Sequence, residues 1–212
     1  MKYLYIDTSS SYLYSAIVED SNLLAEIKEN YGQSLSEVAL PKIVSMFEKL
    51  KMTAKDIDKI FVVNGPGSFT GIRIGVTIAK VYAWSLKLPI STILSLEAMA
   101  VSSNNKKYHV PIINARRGYV FGAIYDEEFK EVLKPQHLKL EELIEKLKII
   151  DHYELISNDT FDQELELVPY NPNFIKIIEH FKNRKEVNPH SVNPEYLKLT
   201  EAEESKLWSE NY

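Results

Sequence analysis

YLYIDTSSSYLYSAIVEDSNLLAEIKE, residues 3–29, opens the chain with the pattern from which its architecture can be worked out. Apolar side chains alternate with polar ones or run together over residues 3–7, 12–18 and 23–29. Short polar stretches, rich in serine and acidic residues, separate these three segments. The pattern predicts three short strands joined by tight turns, a β-meander.

The rest of the first hundred residues predicts helices around one further strand. Apolar residues recur at helical spacing over residues 35–50, and again over residues 70–86. Between them, residues 60–63 form a short continuous apolar run that is typical of a buried strand. The first half of the chain therefore reads βββαβα.

The same order of elements is predicted a second time after the polar stretch of residues 102–107. The predicted elements are strands at 108–115, 119–125 and 129–133, a helix at 140–149, a strand at 153–156 and a helix at 172–182.

A duplicated βββαβα unit resembles the actin-like, Hsp70 and sugar-kinase superfold, an α/β class in which two RNase H-like halves face each other across a nucleotide cleft. We therefore predict two halves, residues 1–103 with the dimerisation helices and residues 104–190. Residues 191–212 are expected to add a C-terminal helix that packs back on the first half. A fold of this kind serves many functions, so it does not by itself give one.

The run VNGPGSFTGIRIG, residues 63–75, joins the predicted buried strand to the long helix. Gly65 and Gly67 allow a tight turn, and Ser68 or Thr70 can cap the helix, whose free amides could hold an anion. The run is neither a Walker loop nor a nucleophile elbow, because it lacks the required lysine and serine context. From the residues alone, a capped turn and a weak phosphate-binding loop both remain open.

The same run is similar to the GPGSFTGLRIG signature of the TsaB family. Three further matches follow the family's order and extend the resemblance over the whole chain: Ile6-Asp7-Thr8-Ser9, residues 114–120 (NARRGYV), and residues 194–198 (PEYLK) followed by Glu201-Ala202-Glu203. Two residues depart from the family pattern, Asn114 in place of an aspartate and Leu35 in place of a frequent histidine. Each departure removes a titratable group from the region of the cleft.

The resemblance implies a cytoplasmic, non-catalytic scaffold or dimerisation subunit in the synthesis of tRNA N6-threonylcarbamoyladenosine. Its implied partners are TsaD, the catalytic paralogue, and TsaE, an ATPase, in the assembled complex. TsaC supplies the threonylcarbamoyl-adenylate that they consume. Alone, the subunit is expected to form a homodimer through the same first-half helices, with tRNA bound only indirectly.

Composition restricts the chemistry that the chain can perform. The 212 residues contain no cysteine, which excludes disulfides, thiolate metal sites and a cysteine nucleophile. The net charge is −5, from 25 basic and 30 acidic residues, and the basic residues are dispersed rather than clustered for phosphate binding. No apolar run approaches the ~20 residues that a transmembrane helix needs. We expect a soluble, cytoplasmic protein that does not bind tRNA tightly by itself.

Two enzyme classes are alternatives to a scaffold, a small-molecule kinase or ATPase of the same fold and a metallopeptidase-like enzyme. Against the first, no glycine follows Gly122, so the second half lacks the turn that lets backbone approach adenosine, and Asp7 is expected to accept hydrogen bonds from its own loop. Against the second, no two of the five histidines lie one helical turn apart. We predict no catalytic residue, no cofactor and no metal.

The helix predicted at residues 70–86 is apolar around most of its circumference, with only Arg73 and Lys80 charged. Gly71, Gly75 and Ala79, at four-residue spacing, suggest a smooth strip for a second helix. The predicted partner interface comprises Leu35, Val38, Ala39, Gly71, Ile72, Gly75, Ile78, Ala79 and Tyr82. The alternative is that the C-terminal helix covers this surface within the same chain.

Overall fold

The structure is a computed structural model that describes residues 1–103 and 107–198. In this part, the first half forms a five-stranded sheet in the order β3-β2-β1-β4-β5. Its strands are β1 (Lys2–Asp7), β2 (Tyr12–Glu19), β3 (Asn22–Asn30), β4 (Lys59–Val63) and β5 (Ile90–Ile93). The first three pair antiparallel, whereas β1, β4 and β5 run parallel. Its helices are α1 (Leu35–Lys49), α2 (Phe69–Leu86) and α3 (Ser95–Ser102).

The second half repeats this arrangement. Its strands are β6 (Tyr108–Arg116), β7 (Tyr119–Tyr125), β8 (Glu131–Lys139), β9 (Tyr153–Ile156) and β10 (Leu167–Val168), and its helices are α4 (Leu140–Leu147) and α5 (Phe174–Phe181). The sheet order is β8-β7-β6-β9-β10, with antiparallel pairs among the first three strands and parallel pairs after them. Each sheet thus has its strands in the order 3-2-1-4-5, which confirms the predicted duplicated α/β fold.

The two faces of the first sheet are covered by different helices. Leu4 and Ile6 of β1 point into a cluster with α1 and α2, whereas Tyr3 and Tyr5 point into a cluster with α5. Phe174 of α5 lies against Tyr5, with ring centroids 5.4 Å apart. A helix from the second half therefore completes the core of the first.

The junction between the halves is filled by α3. Ala98 and Val101 belong to the cluster under the first sheet, while Leu96, Met99 and Ala100 pack against the second sheet. The second sheet buries its other face against α4. Because α3 is buried on both sides, it connects the two sheets through apolar contacts.

The predicted elements agree with the structure except at their ends and in three places. The observed β8 begins at Glu131 and extends to Lys139, well beyond the predicted residues 129–133. β5, α3 and β10 were not predicted. α3 is buried around nearly all of its circumference and shows no helical period, while β5 and β10 have only four and two residues.

The predicted C-terminal helix, residues 194–208, falls mostly outside the described residues. Residues 194–198 are described and are not helical. Residues 187–198, here called the C-terminal strap, run in largely irregular conformation and contact the first half from Ile90 to Asn64. Among the described helices, none is long and apolar enough to cross a membrane.

Candidate functional site

The turn between β4 and α2 packs directly on the loop after β1. Gly65 and Gly67 adopt φ values of +121° and +153°, which side chains rarely tolerate. A Cβ atom at Gly67 would lie 2.2 Å from the carbonyl oxygen of Ser9. The amide of Ser68 donates to this same oxygen at 2.7 Å. The glycines are therefore needed for two loops to meet backbone to backbone.

Of the two capping residues that the sequence offered, Ser68 and Thr70, the structure shows Ser68 as the cap of α2. Its Oγ accepts a hydrogen bond from the amide of Gly71 at 3.2 Å. One turn further on, the Thr8 hydroxyl donates to the carbonyl of Gly71 at 2.7 Å and accepts from the amide of Gly75 at 2.9 Å. These are the carbonyl and amide that pair in a regular helix, so Thr8 ties the loop after β1 to the first turns of α2.

Asp7 is buried at the end of β1 and accepts a hydrogen bond from the loop that follows it. One carboxylate oxygen accepts a hydrogen bond from the amide of Ser9 at 2.8 Å, as predicted. The Tyr5 hydroxyl lies at 3.5 Å from the other oxygen, the limit of a hydrogen bond. Burial raises the pKa of Asp7, and the hydrogen bonds from Ser9 only partly oppose this effect.

A cleft of about 990 Å³ separates the halves beside this loop. The first half contributes the serines of residues 9–11 and the turn of residues 67–71, and the second half contributes residues 113–116 with Asn158 and Asp159. Arg116 and Asp159 are the charged side chains on its walls. In the part of the chain that the structure describes, no group of three histidine, cysteine, aspartate or glutamate side chains could hold a metal ion.

Asn114 is occupied in holding the hairpin between β6 and β7. Its amide donates to Asp159 at 2.7 Å, its Nδ2 donates to the carbonyl of Thr160 at 2.6 Å, and its Oδ1 accepts from the amide of Arg116 at 2.8 Å. Arg116 and Arg117 both have positive φ values, 68° and 53°. Arg116 lines the cleft, whereas Arg117 lines a separate pocket beside α4.

The structure corrects the interpretation of the small-residue strip on α2. A Cβ atom at Gly71 would lie 2.2 Å from the carbonyl of Thr8, and one at Gly75 would lie 2.4 Å from the Thr8 hydroxyl. Ala79 is completely buried in the same core cluster. Gly71 and Gly75 are small because the chain's own loop after β1 presses against them, and Ala79 lies in the core that α1 and α2 share.

The other predicted interface residues divide into two groups. Leu35, Ala39 and Ile72 are buried in the core of the first half, so they cannot contact a partner directly. Val38, Ile78 and Tyr82 are partly buried, with Ile78 and Tyr82 at the margin of this core. Only these last three keep surface that a partner could cover.

The exposed apolar residues of α1 and α2 are ones that the sequence prediction missed. Their side chains are 40% to 64% exposed: Leu40, Val44, Phe69, Val81 and Trp84. We call this set the outer face. The signal was present in the sequence, because Leu40 with Val44 and Val81 with Trp84 repeat at helical spacing outside the core stripe of each helix.

The C-terminal strap covers one edge of α2. Lys80 donates to the carbonyl of Val192 at 2.9 Å, and Trp84 meets the His190 ring edge-on with centroids 6.1 Å apart. The predicted alternative, a C-terminal helix that covers α2, falls mostly outside the described residues and stays a prediction, since the strap is not helical over residues 194–198. The outer face remains exposed beside the strap.

Several known proteins similar to this chain take part in tRNA threonylcarbamoyladenosine biosynthesis by name. The family model described as "TsaD: tRNA N6-adenosine threonylcarbamoyltransferase" matches residues 22–178. The tRNA threonylcarbamoyladenosine biosynthesis protein TsaB of Bacillus subtilis (strain 168) is 34% identical over 221 residues, 96% of either chain. TsaB of Escherichia coli (strain K12) is 30% identical over 157 residues, 68% of either chain.

Two solved structures from Pseudomonas aeruginosa share the fold. One, described as similar to the peptidase YeaZ, has a TM-score of 0.77 at 17% identity over 93% of this chain and 99% of its own. The other, YeaZ itself, has a TM-score of 0.69 at 15% identity over 92% of this chain and 99% of its own. The 34% identity to the Bacillus subtilis TsaB over 96% of both chains shows the family: this chain belongs to the TsaB family of tRNA threonylcarbamoyladenosine biosynthesis proteins.

Proposed function

We propose that the chain is a non-catalytic scaffold subunit of a cytoplasmic complex that makes tRNA N6-threonylcarbamoyladenosine. In this proposal it pairs with a TsaD-type transferase, works with a TsaE-type ATPase in the assembled complex, and forms a homodimer when alone. The tRNA is bound by the complex and reaches this chain only indirectly. The outer face of α1 and α2, with the partly buried Val38, Ile78 and Tyr82 at its margin, is the pairing surface.

The observation that carries the proposal is the exposure of large apolar side chains on two adjacent helices. Val81 and Trp84 are 55% and 64% exposed on α2, and Leu40 and Val44 are 45% and 40% exposed on α1. Several large apolar side chains left exposed on two neighbouring helices are typical of a protein interface. Burying these side chains against a partner would supply the apolar centre that stable interfaces have.

The cleft supports the absence of a catalytic role more than the presence of one. Its polar groups are mostly hydroxyls and amides. Asn114, at the position of a family aspartate, uses its side-chain amide in hydrogen bonds to Thr160 and Arg116 that hold the hairpin. Asp7 is buried and hydrogen-bonded to its own loop. These groups hold the walls of the cleft in place.

An enzyme is the second candidate, because the matching TsaD family model describes a transferase and the cleft is large enough for a nucleotide. A nucleotide titration of the isolated chain separates the two. Micromolar ATP affinity together with turnover that Asp7→Ala removes would favour the enzyme. Stoichiometric zinc or iron in protein purified without chelator would favour a metal-dependent one.

The scaffold proposal is tested by a pair of matched valines. Val81 on the outer face and Val132 on β8 of the second half are similarly exposed, 55% and 53%. Val81→Asp should abolish co-elution with the TsaD-type protein and the modification of tRNA by the reconstituted complex, while Val132→Asp should leave both intact. Circular dichroism checks that both variants fold. Equal behaviour of the two variants would place the pairing surface elsewhere.

A further inference from the structure

Three residues from two sequence motifs form a compact group at the start of α2. The Arg73 guanidinium lies over the Phe69 ring, 3.7 Å from its centroid, and Arg73 Nε donates to the Tyr196 hydroxyl at 2.9 Å. Tyr196 also stacks on Phe69, with ring centroids 5.2 Å apart. Each member therefore contacts the other two, although Tyr196 is 123 residues from Arg73 in sequence.

The C-terminal strap delivers Tyr196 to this position. The Glu195 amide donates to the carbonyl of Asn64 at 2.7 Å, and Asn64 Nδ2 donates to the carbonyl of Asn193 at 3.0 Å. A Cβ atom at Gly65 would lie only 2.2 Å from the carbonyl oxygen of Glu195. A side chain at Gly65 would push the strap off the turn, so this glycine is required for the group to form.

Among the described residues, the Arg73 guanidinium keeps N–H donors that have no hydrogen-bond partner. Arg73 gives its Nε to Tyr196, and no acidic side chain in the described part of the chain pairs with its remaining N–H groups. α2 itself contains no aspartate or glutamate. Arg73 is thus a fixed positive charge beside the apolar outer face. If a partner covered that face without an acidic group opposite Arg73, the guanidinium would be buried without a counter-charge, which would greatly weaken association.

We propose that Arg73, held by Phe69 and Tyr196, is the anchor residue that binds a carboxylate of the partner protein when the outer face is covered. The inference rests on the proposed function and adds to it the chemistry of the partner: an aspartate or glutamate must stand opposite Arg73. Stacking on Phe69 fixes the guanidinium plane before binding, so little side-chain freedom is lost on association.

A protein carboxylate fits this site better than an RNA phosphate. Arg73 is the one exposed cation within α2, because Lys80 on the same helix is partly buried and donates to the carbonyls of His190 and Val192. Backbone recognition of RNA uses several cations together. The chain as a whole carries a net charge of −5, which repels a polyanion.

The experiment measures the affinity of the full-length chain for its TsaD-type partner at low and high salt. Arg73→Gln should weaken binding by at least about tenfold and reduce its salt dependence, since truncating one member of a buried charge pair is expensive. Arg73→Lys should give an intermediate loss, because it keeps the charge without the planar fork. Lys87→Gln, at the far end of α2, is the matched control and should stay within about twofold of the parent chain.

A charge exchange supplies the positive test. Arg73→Glu should bind poorly to the natural partner, and reversing one acidic residue on the partner's helices to arginine should restore binding. The apolar face is checked in parallel with Val81→Asp. If Val81→Asp abolishes association while Arg73→Gln binds within twofold of the parent, the anchor is refuted and the scaffold proposal stands. If Val81→Asp has no effect, the scaffold surface itself is refuted.

Two further outcomes would assign Arg73 another role. Hydrogen exchange at the Glu195 amide reports whether the strap stays in place. Release of the strap in Arg73→Gln and in Tyr196→Phe, with equal losses of affinity in both, would make the residue a strap support only. Weaker tRNA binding by Arg73→Gln with unchanged partner affinity would make it a phosphate contact. Either result would overturn the proposal.

Discussion

Replacing Gly75 with alanine tests whether the small-residue strip of α2 belongs to the core or to a partner surface. The new Cβ atom would lie 2.4 Å from the Thr8 hydroxyl, whereas its next neighbours, Ile6 Cγ2 and Thr8 Cβ, would be at ordinary distances of 3.5 and 3.6 Å. The clash is therefore confined to one oxygen atom. That oxygen holds two buried hydrogen bonds to α2.

The cost of Gly75→Ala follows from what the Thr8 hydroxyl must give up. Rotating it away loses both bonds, worth about 0.5–1.5 kcal/mol each, and crowding in a packed site adds about 1–3 kcal/mol. Alanine returns about 1 kcal/mol through its better helix propensity. The net loss is about 1–5 kcal/mol. In a domain of this size each kcal/mol lowers the Tm by about 2–4 °C.

The assay is a thermal melt of four proteins: the parent chain, Gly75→Ala, Thr8→Ala and the double variant. In Thr8→Ala the obstructing oxygen is absent, so the added methyl group should cost much less than it does in the parent. We expect a coupling energy of at least about 1 kcal/mol between the two sites, as is typical of residues in contact.

Two results would refute this reasoning. Strictly additive effects of the two substitutions would show that the methyl group does not meet the Thr8 hydroxyl. An unchanged Tm for Gly75→Ala, combined with weaker association with the TsaD-type partner, would show that the strip is part of the partner interface, as the sequence suggested.

Three smaller predictions concern the cleft and the cap. Burial raises the pKa of Asp7 in the folded chain, so ionisation of this carboxyl destabilises the fold once the pH rises above its ordinary pKa of 3.8. Asp7→Asn should therefore raise the Tm at pH 7 but not at pH 3, and equal shifts at both pH values would contradict this. Ser68→Ala removes the α2 cap and should cost about 1 kcal/mol in denaturant unfolding, an unchanged midpoint being the contrary result. Asn114→Ala and Arg117→Ala should leave tRNA modification by the reconstituted complex within a few-fold; a ~10³-fold loss, about 4 kcal/mol, would mean that this chain supplies catalytic groups.

The sequence predicted those elements that have clear boundaries or a clear period. β1 and β2 are apolar runs bounded by polar turn residues, although both of their faces are buried, and α5 is amphipathic; the ends of all three were placed within two residues. α3 lies between two sheets and is buried on both sides, which removes the period that identifies a helix. β10 pairs only two residues with β9, too few to produce any pattern.

The candidate site was less predictable because its parts are far apart in sequence. The motif at residues 63–75 allowed a turn with a helix cap, and Ser68 is the residue that caps α2. Nothing in the motif showed that Gly65 accommodates Glu195 or that Gly71 and Gly75 accommodate Thr8. A small residue indicates that something approaches closely, but only the tertiary structure says from which side.

The apolar circumference of α2 illustrates the same ambiguity on a larger scale. The sequence showed that the helix must be covered on more than one side, and two coverings were considered, a partner helix and the chain's own C-terminal helix. The structure assigns Gly75 and Ala79 to the chain's own core and the Lys80 edge to the strap. What is left over is the side that carries Val81 and Trp84. In the part of the chain that the structure describes, this side stays exposed, and it is the surface on which we propose that a second protein docks.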